Sequence, residues 1–290
     1  SPWRLLREAN VMEPQGVIAT GRIEQAFAAL RAQGRTGLIA YLTVGFPTVD
    51  ATLALVPAIV EAGADMVELG VPFSDPLADG ATIQRASQVA LGQGVTLETC
   101  LGVCERLRKQ LPLVPLFLMG YYNPILACGI ERFAGRARAA GADGVIVPDL
   151  PPEEAGPLLR ASQAHGVRVV FLLAPTSTDE RMEKVSRVAS GFLYCVSLTG
   201  VTGARQALPE GLPAFLARVR RHTALPLAVG FGVSNAGHVR AIGQHAEAAI
   251  VGSALIRELE AVATREEKLV RARERLAALA AARTELTVMA

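Results

Sequence analysis

Short, β-branched apolar runs recur along the chain at residues 38–44, 66–69, 114–119, 145–147, 167–173, 192–197, 227–229 and 248–251. They are continuous rather than alternating, which marks strands buried on both faces. Between them lie segments with apolar positions at helical spacing, over 49–61, 97–110, 130–139, 152–164, 179–189, 213–222 and 236–243. Strand–helix alternation carried eight times predicts a closed parallel (β/α)8 barrel, the TIM-barrel architecture; a doubly wound open sheet is the structural alternative.

Ala62-Gly63-Ala64-Asp65-Met66-Val67 recurs as Ala140-Gly141-Ala142-Asp143-Gly144-Val145. In each copy the glycine suits the left-handed position that ends a helix, and a buried strand follows at once. Asp65 and Asp143 therefore enter their strands from the end of the barrel that carries stability rather than chemistry. The longest uncharged run, 110–130, holds three prolines and Tyr121-Tyr122-Asn123; it reads as a strand running into a loop, not as a membrane span. Residues 1–19 show no periodic pattern and no secretory signal. They are expected to be an extension ahead of one barrel domain over 20–290.

Composition narrows the function. Over 290 residues the chain is 51% hydrophobic and 19% charged, with a net charge of +2. These values exclude a disordered chain and offer no electrostatic footprint for nucleic acid or an anionic membrane. Cys100, Cys104, Cys128 and Cys195 sit in apolar stretches and read as reduced core thiols of a cytoplasmic protein. Cys100 and Cys104 share a helix face, but no histidine or third thiol is near enough in sequence to complete a metal site.

A barrel works at the carboxyl ends of its strands. The three lysines, Lys109, Lys184 and Lys268, all fall in helical segments, which disfavours imine chemistry. His165, His222, His238 and His245 fall in or after outer helices, so no histidine-ligated metal is expected. The carboxylates Glu68, Asp75, Asp79 and Asp149 remain. Glu68 stands in an apolar strand, where desolvation should raise its pKa into the range of a general acid–base. Asp75 and Asp79 lie in a loop punctuated by prolines, where aspartate also serves turns. Tyr41 and Tyr194 either wall an aromatic pocket or simply fill the barrel. Glycines after strands six, seven and eight, at 200–203, 230–232 and 252, together with the helix opening at Ser253, suit a phosphate held by backbone N–H groups. These residues describe a carboxylate-driven enzyme acting on a phosphorylated small molecule.

The run Glu68-Leu69-Gly70-Val71-Pro72-Phe73-Ser74-Asp75-Pro76-Leu77-Ala78-Asp79-Gly80 resembles the signature of the tryptophan synthase alpha subunit family. Tyr121-Tyr122-Asn123-Pro124, Val147-Pro148-Asp149-Leu150-Pro151-Pro152-Glu153-Glu154, Gly200-Val201-Thr202-Gly203-Ala204, Gly230-Phe231-Gly232 and Gly252-Ser253-Ala254 agree, and the resemblance extends from Gly21 to about Arg257. It implies retro-aldol cleavage of indole-3-glycerol phosphate to indole and glyceraldehyde 3-phosphate. Glu68 would protonate indole C3 and take the glycerol hydroxyl proton. Asp79 would accept the indole N–H. The indole pocket would be walled by Tyr41, Met119, Ile146, Leu172 and Tyr194. The phosphate would rest on Gly203, Gly232, Gly252 and Ser253, with Thr202 closing toward Asp79 from a mobile loop.

The resemblance also implies a beta-subunit partner in an alpha2–beta2 assembly, facing the loop from Pro72 to Asp75. Pyridoxal phosphate would belong to that partner, leaving no cofactor or metal in this chain. Two other readings stand beside it: a stand-alone indole-3-glycerol phosphate lyase, and a protein that chiefly activates its partner. The sequence departs from the family pattern at Ala81, Gly120 and Leu198.

Overall fold

A computed structural model of the chain describes residues 21–197, 208–230 and 232–283. The expected extension over 1–19, along with Leu198, Thr202, Gly203 and Phe231, lies outside the described residues. The chain runs α1 (Arg22–Ala32), β1 (Gly37–Thr43), α2 (Val49–Glu61), β2 (Met66–Gly70), α3 (Ala81–Gly92), α4 (Leu97–Gln110), β3 (Leu116–Met119), α5 (Tyr122–Cys128), α6 (Ile130–Ala139) and β4 (Gly144–Ile146). It continues through α7 (Gly156–Ala164), β5 (Arg168–Leu173), α8 (Asp179–Val188), β6 (Leu193–Val196), α9 (Leu212–Arg220), β7 (Leu227–Gly230), α10 (Ala236–Gly243), β8 (Ala248–Val251), α11 (Ser253–Glu260) and α12 (Arg265–Ala280). The eight strands pair in parallel in sequence order, and β8 closes on β1. The open-sheet alternative is thereby excluded.

Helix starts follow local chemistry. Thr48, Thr96, Thr178, Asn235 and Thr264 accept backbone N–H bonds at the heads of α2, α4, α8, α10 and α12, satisfying donors that the helix itself leaves unpaired. The helix expected from 152 begins instead at Gly156, with Pro157 in its first turn, where a missing N–H costs nothing. The run 110–130 is not strand and loop alone, because α5 forms within it. Pro124 is its third residue, so here too the proline removes no helical bond.

The amino end of the barrel is tied by three acids, of which Asp143 is buried and Asp65 and Glu247 are partly buried. Asp65 accepts the Leu38 N–H at 2.8 Å and pairs with Arg35 at 2.8 Å and Arg283 at 3.1 Å. Asp143 does the same for the Leu116 N–H at 2.9 Å, with Arg22 at 2.9 Å and Arg108 at 2.6 Å. Glu247 takes the Leu227 N–H at 2.7 Å and a two-pronged contact from Arg220. In each case an acid just before one strand holds the first amides of its neighbour, leaving the opposite end to chemistry. Helix α1 closes this floor: Phe27 meets Phe192 at 5.9 Å, and Phe192 meets Phe117 edge-on at 5.3 Å.

Candidate active site

Parallel register sets the catalytic layer. Tyr41 on β1 lies opposite Glu68 on β2, and Thr43 lies opposite Gly70. Gly70 pairs with Met119, and Met119 with Ile146. On the far side Leu172 pairs with Tyr194. Tyr194 is electrostatically coupled to Glu68, Tyr41 and Asp79. Strands β1 and β6 are not neighbours, so Tyr41 and Tyr194 act on each other across the barrel interior. Five of the expected pocket residues, Tyr41, Met119, Ile146, Leu172 and Tyr194, therefore gather around the carboxyl ends of β1 and β3–β6.

Glu68 is fully buried, and neither carboxylate oxygen finds a hydrogen-bond partner among the described residues. A charged carboxylate there would lose its hydration and gain nothing in return. Burial accordingly pushes Glu68 up to about 8 from an ordinary 4.5. A buried polar group left unsatisfied at a strand's active end is a group kept ready for a ligand.

Asp79 ends the loop that follows β2. Burial lifts it to about 6, opposed by a hydrogen bond from the Tyr121 hydroxyl. That hydroxyl accepts the Ala78 N–H at 2.9 Å, and the Tyr121 ring stacks on Phe73 at 5.2 Å. The Gln84 amide donates to the Asp79 carbonyl at 2.8 Å. Tyr121 thus organises the loop and its carboxylate together, a role the sequence motif alone did not reveal. Its prior signals were its place two residues beyond the end of β3 and its membership of the Tyr121-Tyr122-Asn123-Pro124 piece, neither of which assigned it a role.

The two tyrosines are pushed above their ordinary range, first by burial and then by neighbouring acids: Asp79 and Glu68 for Tyr41, and Glu68 for Tyr194. Both stay phenols and wall the pocket as neutral rings. The Tyr41 hydroxyl lies 3.3 Å from Thr43 Oγ1.

Asp149 and Asp75 separate from the pair. Asp149 caps α5, accepting the Tyr122 N–H at 2.9 Å and 3.2 Å, and Asp75 is exposed on the loop. At the opposite rim, Gly232 has φ +88°, a conformation glycine tolerates. Gly252 precedes the first residue of α11, Ser253, and a Cβ there would sit 3.3 Å from Tyr41 Cβ. Helices α10 and α11 therefore open beside adjacent loops, as an anion site between β7 and β8 requires. Thr202 and Gly203, expected to complete it, lie outside the described residues.

At the departures, Ala81 is the first residue of α3, a position that proline would also suit. Gly120 is fitted to its surroundings, since a Cβ would stand 2.9 Å from Val71 Cβ. Cys100 and Cys104 are buried thiols in α4. Among the described residues, no three metal-ligating side chains cluster and no helix is long and apolar enough to cross a membrane.

A closed parallel (β/α)8 barrel with buried carboxyl and phenol groups gathered toward the carboxyl ends of its strands has the architecture of the barrel enzymes. Comparison gives the family. The tryptophan synthase alpha chain family model matches residues 27–284. The alpha chain of Roseiflexus castenholzii is 59% identical over 239 residues, covering 82% of this chain and 92% of that one; that of Chloroflexus aurantiacus is 53% identical over 82% and 90%. A solved Mycobacterium tuberculosis tryptophan synthase chain superposes with a TM-score of 0.83 at 40% identity, covering 91% and 98%. The alpha subunit of Legionella pneumophila also reaches 0.83, at 36% identity and the same coverage. The chain belongs to the tryptophan synthase alpha chain family and is a lyase of tryptophan biosynthesis.

Proposed function

We propose that the chain cleaves indole-3-glycerol phosphate at the bond between indole C3 and the glycerol side chain. The observation that carries this reading is Glu68, a buried carboxyl with no hydrogen-bond partner among the described residues, pushed up by burial to about 8. As an acid it delivers its proton to C3 of the indole. The ring then carries positive charge at N1–H, which the Asp79 carboxylate accepts as a hydrogen bond. The C3–C bond breaks, its electron pair returns to the ring, and the glycerol hydroxyl gives its proton to the Glu68 carboxylate. Indole and glyceraldehyde 3-phosphate leave, and Glu68 is protonated as at the start. One carboxyl serves in both directions, and Asp79 stabilises charge only while it exists.

Tyr41, Met119, Ile146, Leu172 and Tyr194 sandwich the ring. The amides at Gly232, Gly252 and Ser253 take the phosphate; the roles that the family resemblance gives Gly203 and Thr202 fall outside the described residues. This cycle asks no metal or cofactor of the chain; pyridoxal phosphate is assigned to a beta subunit that receives the indole. The loop from Pro72 to Asp75 is the proposed docking face, supported by Leu77, which is 86% exposed beside it. The buried thiols support a cytoplasmic location, and one barrel domain over 20–290 completes the reading.

Purified protein is expected to release indole from indole-3-glycerol phosphate. Glu68→Gln and Asp79→Asn should each nearly abolish that release while keeping the fold. Wild-type rates in either variant would remove the assignment.

A further inference from the structure

His238 stands on α10 and is 3% exposed. Its ring does not face solvent. Nδ1 lies 3.1 Å from the Gly232 carbonyl oxygen and 3.2 Å from the Ser234 N, and Nε2 lies 3.2 Å from Asn235 Nδ2. These contacts constrain where the imidazole proton sits. Asn235 Oδ1 accepts the His238 backbone N–H at 3.0 Å. A backbone amide can only donate, so that oxygen is fixed and the Asn235 NH2 must face the ring. An amide nitrogen cannot accept, so Nε2 has to. In the neutral ring the proton then lies on Nδ1, where it donates to the Gly232 carbonyl. The Asn235 and Gly232 contacts agree on this tautomer; the Ser234 N–H, whose hydrogen points at Nδ1 from 3.2 Å, is the one contact that the opposite tautomer would satisfy.

We propose that His238 is a positioning residue for the phosphate site: its Nδ1–H, set by Asn235, fixes the Gly232 carbonyl and so aims the amides of Gly232 and Val233 at the substrate's phosphate. The inference rests on the phosphate placement proposed above. It explains why a histidine in the first turn of an outer helix is buried. Gly232, at φ +88°, lies where a peptide plane turns easily. A donor holding its carbonyl on one side leaves the neighbouring N–H groups oriented before the ligand arrives, which is preorganisation.

Two variants separate this role from packing. His238→Asn retains an N–H donor close to the Nδ1 position, whereas His238→Leu fills similar space without one. The measurements are inorganic phosphate binding by calorimetry, KM and kcat for indole release, and 15N shifts of the wild-type imidazole. His238→Leu is expected to weaken phosphate and raise KM about tenfold, the scale of one lost oriented hydrogen bond, with kcat far less affected. His238→Asn should recover most of that loss, and the 15N shifts should report the Nδ1–H tautomer. Asn235→Thr, which keeps a helix cap but loses the NH2, should fall between and serves if His238→Leu does not fold. Unchanged phosphate affinity in His238→Leu, failure of His238→Asn to rescue, or an Nε2–H tautomer would each overturn the relay. Wild-type protein that binds no phosphate would instead remove the site placement, while the 15N shifts still test the tautomer on their own.

Discussion

Gly70 is bare because Tyr41 lies across it. A Cβ at position 70 would stand 2.1 Å from the Tyr41 hydroxyl oxygen and 2.5 Å from its ring. The same device recurs at the other wall, where a Cβ at Gly230 would stand 2.3 Å from the Tyr194 hydroxyl. Each tyrosine leans two residues forward over the neighbouring strand, and each needs glycine beneath it. Both rings are buried, so neither can swing away.

Gly70→Ala should therefore cost about 1–3 kcal/mol by overpacking and disturb the pocket next to Glu68. Tyr41→Val alone costs stability by opening a cavity. Combined, the two changes should cost less than their sum, because the added methyl meets no ring. Urea unfolding of the four proteins in this cycle measures the coupling, and strict additivity would show that β2 simply shifts aside.

Activity should follow a bell-shaped pH dependence. Glu68 must begin protonated and Asp79 ionised; burial raises them to about 8 and about 6. The flanks of kcat/KM then lie near those values in the free protein. Tyr121→Phe removes the hydrogen bond that holds Asp79 down. Its acid flank should move to higher pH while the alkaline flank stays. A shift of the alkaline flank instead would reverse the assignment of the two groups.

How much of this was legible in the sequence depended on which forces acted locally. Helices α2, α4, α6 and α10 match the periodic segments residue for residue, because capping threonines, asparagine and breaking glycines fix their ends. Helices α1, α3 and α5 went unread. α5 begins Tyr-Asn-Pro, which spells a turn until its docking is known, and α1 is recognisable only by the Phe27 that plugs the floor. Glu68 was visible as a charge inside an apolar strand. Tyr121 and His238 were not, since their roles depend on the chain returning to the same rim from distant segments. His238 in particular had the spacing of an ordinary outer-helix residue, and only the Gly232 carbonyl beneath it gives it work.

The unpartnered glutamate costs stability in a pH-dependent way. Because Glu68 titrates near 8 when folded and near 4.5 when free, the folded protein holds a proton that the unfolded chain has lost across that interval. The neutral acid's full stability is present below about 4.5 and falls as pH rises through 8, by a few kcal/mol in all. Glu68→Gln cannot ionise and escapes this loss. Its urea midpoint relative to wild type should climb between pH 5 and pH 8.5, an inactive variant gaining stability where the active protein loses it. Parallel midpoints across that range would show that Glu68 titrates normally.

The floor of the barrel should behave in the opposite way, as stability without catalysis. The Asp143 side chain is 6% exposed and bonded to Arg22, Arg108 and the Leu116 N–H, while Arg108 itself is only 13% exposed. Asp143→Ala removes the only carboxylate bonded to the partly buried Arg108 guanidinium among the described residues, leaving it to the backbone carbonyls of Gly141, Leu111 and Val114, and leaves a strand amide without its acceptor. The expected cost is about 3–5 kcal/mol. By contrast, Glu183→Gln breaks an ion pair with Arg187 on an exposed helix face and should change stability by less than about 0.5 kcal/mol. Below its lowered melting temperature, Asp143→Ala should keep the wild-type kcat and both pH flanks, since the ion cluster lies at the end of the strands opposite Glu68. A shifted pH profile at unchanged fold would mean that the two ends are electrostatically linked, and that the barrel does not separate stability from chemistry as its register implies.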